Sequence, residues 1–368
     1  MDSLRVIISG GGTGGHIFPA VSIANEIRMR FPDADILFIG AEDRMEMERV
    51  PEAGYKIIGL PVSGFNRAQK LKNAGVLVKL ARSLRLARKM IRDFKPDVAV
   101  GVGGYASGPT LWMASSLQIP ILIQEQNSYA GITNRLLAKR ASKVCVAYRG
   151  MQKFFPPDRI VITGNPVRKE LETVRERDSE VLDYFGLKAG KPILLVTGGS
   201  LGAQTVNRGV HKGLESLISA GIQVIWQTGR SYYDTVREEL KGRRYEGLWV
   251  SDFIPRMDYA YAAADLVVSR AGAGTISELC LLKKPAILAP SPNVAEDHQT
   301  KNARALSDNG AAVLLPDSVA EEQLVPTAIK WIADEEQLRS LSENIVLFAQ
   351  HNSAERIVDE MMKIIDRR

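Results

Sequence analysis

Directly after the apolar run Leu4–Ser9 come Gly10-Gly11-Gly12-Thr13-Gly14-Gly15-His16, and then a helical pattern from Ile17 to Met29. A β-branched run that ends in glycines and opens a helix is a strand–loop–helix phosphate cradle. Glycines let the backbone approach an anion, and the unbonded N–H groups and dipole of the helix hold it. The arrangement recurs: Pro192–Thr197 runs into Gly198-Gly199-Ser200-Leu201-Gly202-Ala203 and another helical pattern. Two matching junctions, Val98–Gly104 and Leu266–Gly272, complete the set. The chain therefore reads as two similar α/β halves, each with two glycine-rich loops at strand ends.

Length supports two domains, since 368 residues can build two cores. A hydrophobic share of 45% and a charged share of 24% are ordinary for a soluble globular enzyme. No apolar stretch approaches the ~18 residues of a membrane span. The first strand begins at once, which leaves no room for a signal peptide. Cys145 and Cys280 lie far apart in apolar segments, so neither a disulfide nor a zinc site is expected. These features point to the cytoplasm.

Strand-like runs at 4–9, 35–40, 56–60, 97–101, 121–124, 143–147 and 160–163 fill the first half. Runs at 192–197, 222–227, 247–250, 266–269, 286–289 and 312–315 fill the second. Helical patterns separate nearly all of them, which argues for parallel sheets covered on both faces. Gly164-Asn165-Pro166 marks the boundary, because proline restricts its predecessor and stiffens the crossing. The expected domains are 1–165 and 166–350, with a terminal helix at 351–368 that packs back on the first.

In open α/β sheets ligands bind beyond the carboxyl ends of the strands, so one cradle suits a nucleotide and another a second phosphorylated substrate. Gly10, Gly12 and Gly15 also satisfy the dinucleotide fingerprint, which taken alone is a weak signal. That fingerprint asks for an acid at the end of the second strand, and Glu42 comes late for the role. A nicotinamide-dependent oxidoreductase is the alternative this leaves.

Seven segments together carry a specific resemblance. They are Gly11–His16, Gly103-Gly104-Tyr105-Ala106-Ser107-Gly108-Pro109, Glu125-Gln126-Asn127, Gly164-Asn165-Pro166-Val167-Arg168, Gly198–Ala203, Arg270–Glu278 and Asp297-His298-Gln299-Thr300-Lys301-Asn302-Ala303. In this order, over nearly the whole chain, they resemble the bacterial MurG family. The resemblance implies a GT-B fold of two Rossmann-like domains facing across a deep cleft. It also implies inverting transfer of GlcNAc from UDP-GlcNAc to the MurNAc 4-hydroxyl of undecaprenyl-diphospho-MurNAc-pentapeptide, converting lipid I to lipid II. A non-hydrolysing UDP-sugar epimerase shares this fold and is a further alternative.

The implied donor site lies mainly in the second half. Ser200 and Arg168 would meet the diphosphate; a solvated linker arginine is the plainer reading of Arg168. The segment Ala273, Gly274, Thr275, Ile276 and Ser277 would open a helix toward the donor. Glu278 would accept the ribose hydroxyls, although an acid in the first turn of a helix is also favoured by the dipole alone. The Ile254 backbone, after Phe253, would read uracil. Gln299 and Asn127 would bond GlcNAc, with His298 standing where some members carry a second Gln. A buried Asn bridging loop backbone is the plainer reading of Asn127.

For the acceptor, Thr13, Gly14 and Gly15 would cradle the lipid diphosphate, also touching the donor, and Gly103 and Gly104 would form the companion wall. His16 is the candidate base for the attacking hydroxyl, or else a diphosphate donor, with Glu125 the reserve base. A single-step displacement needs no covalent nucleophile. No metal site and no tightly bound cofactor are implied, with room for stimulation by a divalent cation. Nucleic acid is not an expected partner; neighbours in cell-wall synthesis and division are.

Between Lys70 and Lys95 nine basic residues stand against the single acid Asp93. Helical spacing aligns Lys79, Arg82, Arg85, Lys89 and Arg92, beside an apolar face of Leu77, Leu80, Leu84 and Ile91. The plain reading is a crossover helix with a solvated face. A lipid-linked acceptor favours the other: a peripheral docking patch for the anionic cytoplasmic face of the bacterial membrane.

Overall fold

A computed structural model of the chain describes residues 3–62, 73–171, 175–199, 202–294 and 297–366. They form two compact units, Met1–Arg168 with Gln350–Arg368 and Lys169–Ala349. The divisions thus fall three residues later and one residue earlier, respectively, than the sequence suggests.

In the first unit, strands β1 (Arg5–Gly10), β2 (Asp35–Ala41), β3 (Lys56–Leu60), β4 (Val98–Gly103), β5 (Ile121–Glu125), β6 (Lys143–Val146) and β7 (Ile160–Ile162) alternate with helices. The helices are α1 (Gly14–Arg30), α2 (Glu46–Glu52), α3 (Asn73–Phe94), α4 (Ser107–Ser116) and α5 (Ile132–Leu137). The strands make one parallel sheet in the order β3-β2-β1-β4-β5-β6-β7.

The second unit repeats the scheme with β8 (Ile193–Thr197), β9 (Gln223–Gln227), β10 (Leu248–Ser251), β11 (Leu266–Ser269), β12 (Ala286–Leu288) and β13 (Val313–Leu314). Its helices are α6 (Ser179–Phe185), α7 (Gln204–Ser219), α8 (Arg230–Glu239), α9 (Met257–Ala263), α10 (Ala273–Leu281), α11 (His298–Ser307), α12 (Asp317–Ile332) and α13 (Glu335–Ile345). The parallel order is β10-β9-β8-β11-β12-β13. Each expected strand run is a strand, with ends that differ by two residues at most.

Both sheets reverse their strand order once, at β1/β4 and at β8/β11. All four glycine-rich loops follow these central strands, at the switch point where an open α/β sheet leaves a crevice. Central strands such as β4, β5 and β8 are buried on both faces, as parallel sheets between helix layers require. Edge strand β3 alternates instead.

The two faces of the first sheet sort by the period of two. Val6 and Ile8 join α1 in one core; Ile7, Leu37 and Ile39 join α3, α4 and α5 in the other. The terminal helix α14 (Ser353–Ile365) completes the first of these cores with Ile357, Val358, Met361 and Ile364. Arg30 of α1 clamps it through Asp359 at 2.5 Å, and Arg356 reaches the Ile162 carbonyl.

Met361 is fully buried, so Met361→Ala should destabilise the first unit by about 2–5 kcal/mol. Urea unfolding followed by circular dichroism should show an earlier midpoint. An unchanged midpoint would mean that α14 adds nothing to this core.

Candidate active site

The first glycine loop is shaped by a residue the sequence reading passed over. Glu46, the first residue of α2, is 1% exposed and lies under the loop. Its Oε2 accepts from the Gly12 N–H at 2.8 Å and its Oε1 from the Ala41 N–H at 3.0 Å. Gly11 has φ +149°, and a Cβ there would stand 2.1 Å from Glu46 Oε1. Only glycine fits the turn and the carboxylate beneath it.

His16 lies in the first turn of α1. Its Nδ1 is 2.9 Å from the Gly11 carbonyl oxygen and 3.4 Å from Thr13 Oγ1. A carbonyl only accepts, so Nδ1 carries the proton in this contact, and Nε2 is the basic nitrogen of the neutral ring. Nε2 lies toward the second loop, 2.9 Å from where a Gly103 Cβ would stand. Gly104, at φ +86°, packs so closely that a Cβ would meet the Gly11 carbonyl oxygen at 2.5 Å. Gly103 and Gly104 thus pack against the first loop.

Glu125 ends β5 and is 1% exposed. Oε1 accepts from Asn127 N at 3.0 Å and Nδ2 at 3.3 Å; Oε2 accepts from Gly131 N at 3.0 Å and Asn134 Nδ2 at 2.9 Å. A carboxylate that is buried and bonded to four N–H donors organises its loop. Such a group is poorly placed to reach a substrate hydroxyl, which a base must do. Asn127 takes its place in the half-buried loop after β5 from this contact. Asn134, also missed in the sequence, is 2% exposed, and its Oδ1 has no hydrogen-bond partner.

In the second unit, Gly199 N donates to Thr197 Oγ1, and Gly202 N to the Gly199 carbonyl, shaping the loop that leads into α7. Ser200 lies outside the described residues. After β11, Arg270 donates to the carbonyls of Ala289 and Pro290 at 3.0 and 3.2 Å and pairs with Asp317. Asn302 Nδ2 reaches the Ala271 carbonyl at 3.4 Å. Together they brace the Ala271–Gly272 turn from which Ala273, Gly274 and Thr275 open α10. Ser277 Oγ turns back to the Ala273 carbonyl.

Helices α1, α4, α7 and α10 all begin with no acid in the first turn and no side-chain cap bond, unlike α6, which Asp178 caps. Their first N–H groups keep a positive field for an anion.

Glu278 corrects an expectation. It is the sixth residue of α10, beyond the first turn, so its place cannot be put down to the dipole. Its Oε2 accepts from the Tyr261 hydroxyl at 2.9 Å, and it is half-buried. Ile254 buries its side chain in the second unit's core. Gln299 Oε1 accepts from Ser291 N at 2.8 Å, and His298 begins α11 beside it. Arg168 is the last residue of the first unit's main segment.

A second correction concerns Glu42. β2 ends at Ala41, so Glu42 does stand where a dinucleotide fingerprint wants its acid. Burial pushes both thiols, Cys145 and Cys280, up to about 12, so neither is a ready nucleophile. Among the described residues no group of three His, Cys, Asp or Glu could hold a metal ion.

Lys79, Arg82, Arg85, Lys89 and Arg92 are all exposed along α3, while Leu80 and Leu84 are half-buried. Leu77 and the neighbouring Val78 point outward, 58% and 70% exposed. Helices α4 and α5 cover the same sheet face and expose Trp112, Ile132 and Leu136. Lys70 and Lys72 lie outside the described residues. No described helix is long and apolar enough to cross a membrane.

Glycine-rich loops feeding α1, α4, α7 and α10 at the switch points of two parallel-sheet units suit a nucleotide-sugar enzyme, and the family matches make it a glycosyltransferase. The glycosyltransferase family 28 N-terminal domain matches residues 6–146 and the C-terminal domain matches 193–361. A protein of Parabacteroides distasonis named UDP-N-acetylglucosamine--N-acetylmuramyl-(pentapeptide) pyrophosphoryl-undecaprenol N-acetylglucosamine transferase is 65% identical over 368 residues, covering 100% of both chains. The crystal structure of Acinetobacter baumannii MurG superposes with TM-score 0.76 at 27% identity, covering 98% of this chain and 99% of that one. A putative UDP-N-acetylglucosamine 2-epimerase from Listeria monocytogenes reaches TM-score 0.71 at 13% identity, with coverage of 98% and 96%, a likeness of fold alone. The chain belongs to the MurG family of glycosyltransferases.

Glu278→Ala should weaken UDP binding through the loss of charge-assisted hydrogen bonds worth about 1.5–3 kcal/mol each. Isothermal titration with UDP reads this directly. An unchanged dissociation constant in the folded variant would reduce Glu278 to a partner of Tyr261.

Proposed function

We propose that this enzyme moves GlcNAc from UDP-GlcNAc to the MurNAc 4-hydroxyl of undecaprenyl-diphospho-MurNAc-pentapeptide, making lipid II from lipid I with inversion. The observation that supports this mechanism is the 2.9 Å contact of His16 Nδ1 with the Gly11 carbonyl, which leaves Nε2 as the nitrogen to take the proton. The 4-hydroxyl oxygen forms a bond to the anomeric carbon as the bond from that carbon to the UDP oxygen breaks. The hydroxyl proton passes to His16 Nε2, and the bonding pair leaves with the β-phosphate.

Charge then develops on the diphosphate, where preorganised donors count most. The starts of α7 and α10, with Ser200, take that charge. Glu278 holds the ribose, the Ile254 backbone reads uracil, and Gln299 holds the sugar. Thr13, Gly14 and Gly15, walled by Gly103 and Gly104, seat the acceptor diphosphate. Glu125 serves as a positioning group for Asn127 and Asn134 rather than as the base. No tightly bound cofactor takes part.

His16→Ala should lower kcat by about 10²–10⁴-fold and leave UDP affinity unchanged, because a proton acceptor acts only in the transition state. A variant that raises only the acceptor KM would make His16 a diphosphate ligand instead.

The acceptor's lipid requires the enzyme to work at a membrane surface. The cationic face of α3, with Leu77, Val78, Trp112, Ile132 and Leu136 exposed on the same layer, suits reversible attachment to the cytoplasmic leaflet. Each cation near an anionic surface contributes about 1 kcal/mol. Replacing Arg82, Arg85, Lys89 and Arg92 together with Glu should abolish sedimentation with anionic liposomes at low salt, while UDP binding persists. Equal sedimentation of variant and wild type would remove α3 as the docking face.

A further inference from the structure

The Gly11–Gly12 peptide is held from both sides. Its carbonyl accepts from His16 Nδ1 at 2.9 Å, and its N–H donates to Glu46 Oε2 at 2.8 Å. The carboxylate, the peptide and the imidazole therefore form one chain of hydrogen bonds, closed at the far end by Ala41 N–H on Glu46 Oε1. Burying a carboxylate is costly unless it is bonded, and among the described residues Glu46 has no ion pair. The local sequence is built to admit it: a Cβ on Gly11 would collide with its carboxyl group, and one on Gly40 would lie 2.6 Å from its Cγ.

We propose that Glu46 acts on His16 through the Gly11–Gly12 peptide, fixing the Nδ1–H tautomer and raising the basicity of Nε2. A peptide whose N–H binds an anion carries more negative charge on its own carbonyl, since hydrogen bonds in a chain polarise one another. The Gly11 carbonyl then favours a donating Nδ1–H, and the imidazolium formed on proton transfer faces a negative charge one peptide away. Glu46 touches no reacting atom and is a positioning residue. The inference rests on the reading of His16 as the base.

Among the described residues, the elements packed against α1 carry few other charges. Of the elements packed against α1, β4 has no titratable side chain and β1 has only Arg5, at its opposite end. On α14, Asp359 pairs with Arg30 at the far end of α1, Lys363 with Glu360, and Arg356 with the Ile162 carbonyl; Glu355 is the remaining charge. On α2, Arg49 pairs with Glu52, and Glu48 is exposed. Tyr105 follows Gly104, and Glu125 is linked to this neighbourhood through Asn134.

The test is nitrogen-15 NMR of the four histidines in the full-length enzyme, with His16 assigned by its loss in H16A, alongside the pH profile of kcat/KM with a lipid I analogue. Neutral wild-type His16 should be mainly Nδ1–H; a mainly Nε2–H ring would overturn the proposal without any variant. Glu46→Gln should lower the His16 pKa by about one unit and carry the ascending limb of the profile to more acidic pH. Glu46→Asp, which keeps the charge, should restore much of that shift. An identical His16 pKa and tautomer in E46Q would make Glu46 a structural brace only. If the NMR pKa moves and the kinetic limb does not, the coupling holds and the base assignment fails.

Discussion

Each sheet is wound outward from its centre, β1 toward β3 and β4 toward β7 in one, β8 toward β10 and β11 toward β13 in the other. Where the winding changes direction, neighbouring strand ends feed helices that depart to opposite faces, and the space between them is left open. The chain spends its glycines there. The approach of Gly104 to the Gly11 carbonyl tolerates no side chain, which brings two loops from opposite halves of one sheet into contact. His16, Thr13 and the first amides of α1 owe their positions to that contact.

Loops with so little side chain do not hold themselves, and this protein braces them with charged groups taken out of water. Glu46 holds the first loop, Glu125 the segment after β5, and Arg270 the turn before α10. Each bonds two backbone groups, so removing one would strand those N–H or C=O groups at about 1–3 kcal/mol apiece. Such braces fix backbone without adding reactive groups to the surface they shape. A rigid cradle matters because catalysis by fixed dipoles requires that they need no reorganisation when charge develops.

The strands were legible because their residues alternate or run apolar over short lengths, and the loops because glycine is so concentrated at strand ends. The residues that support those loops were not. Glu46 sits in Arg44-Met45-Glu46-Met47-Glu48, where nothing in spacing separates a buried carboxylate from the exposed Glu48. Asn134 and Arg270 acquire meaning only from partners distant in sequence. Glu278 was read one turn too early, because a glycine-led helix start cannot be counted to the residue before its first turn is seen. Leu80 and Leu84 share the spacing of Leu77, yet they are half-buried while it points outward, a distinction that spacing alone does not draw.

The central claim is transfer to an acceptor, and the fold is shared with enzymes that rearrange a UDP-sugar without one. Incubating the purified enzyme with UDP-GlcNAc, with and without a lipid I analogue, separates the two. The account predicts UDP release only with the analogue, matched mole for mole by GlcNAc on the MurNAc 4-hydroxyl. UDP released without acceptor, or UDP-ManNAc among the products, would contradict it.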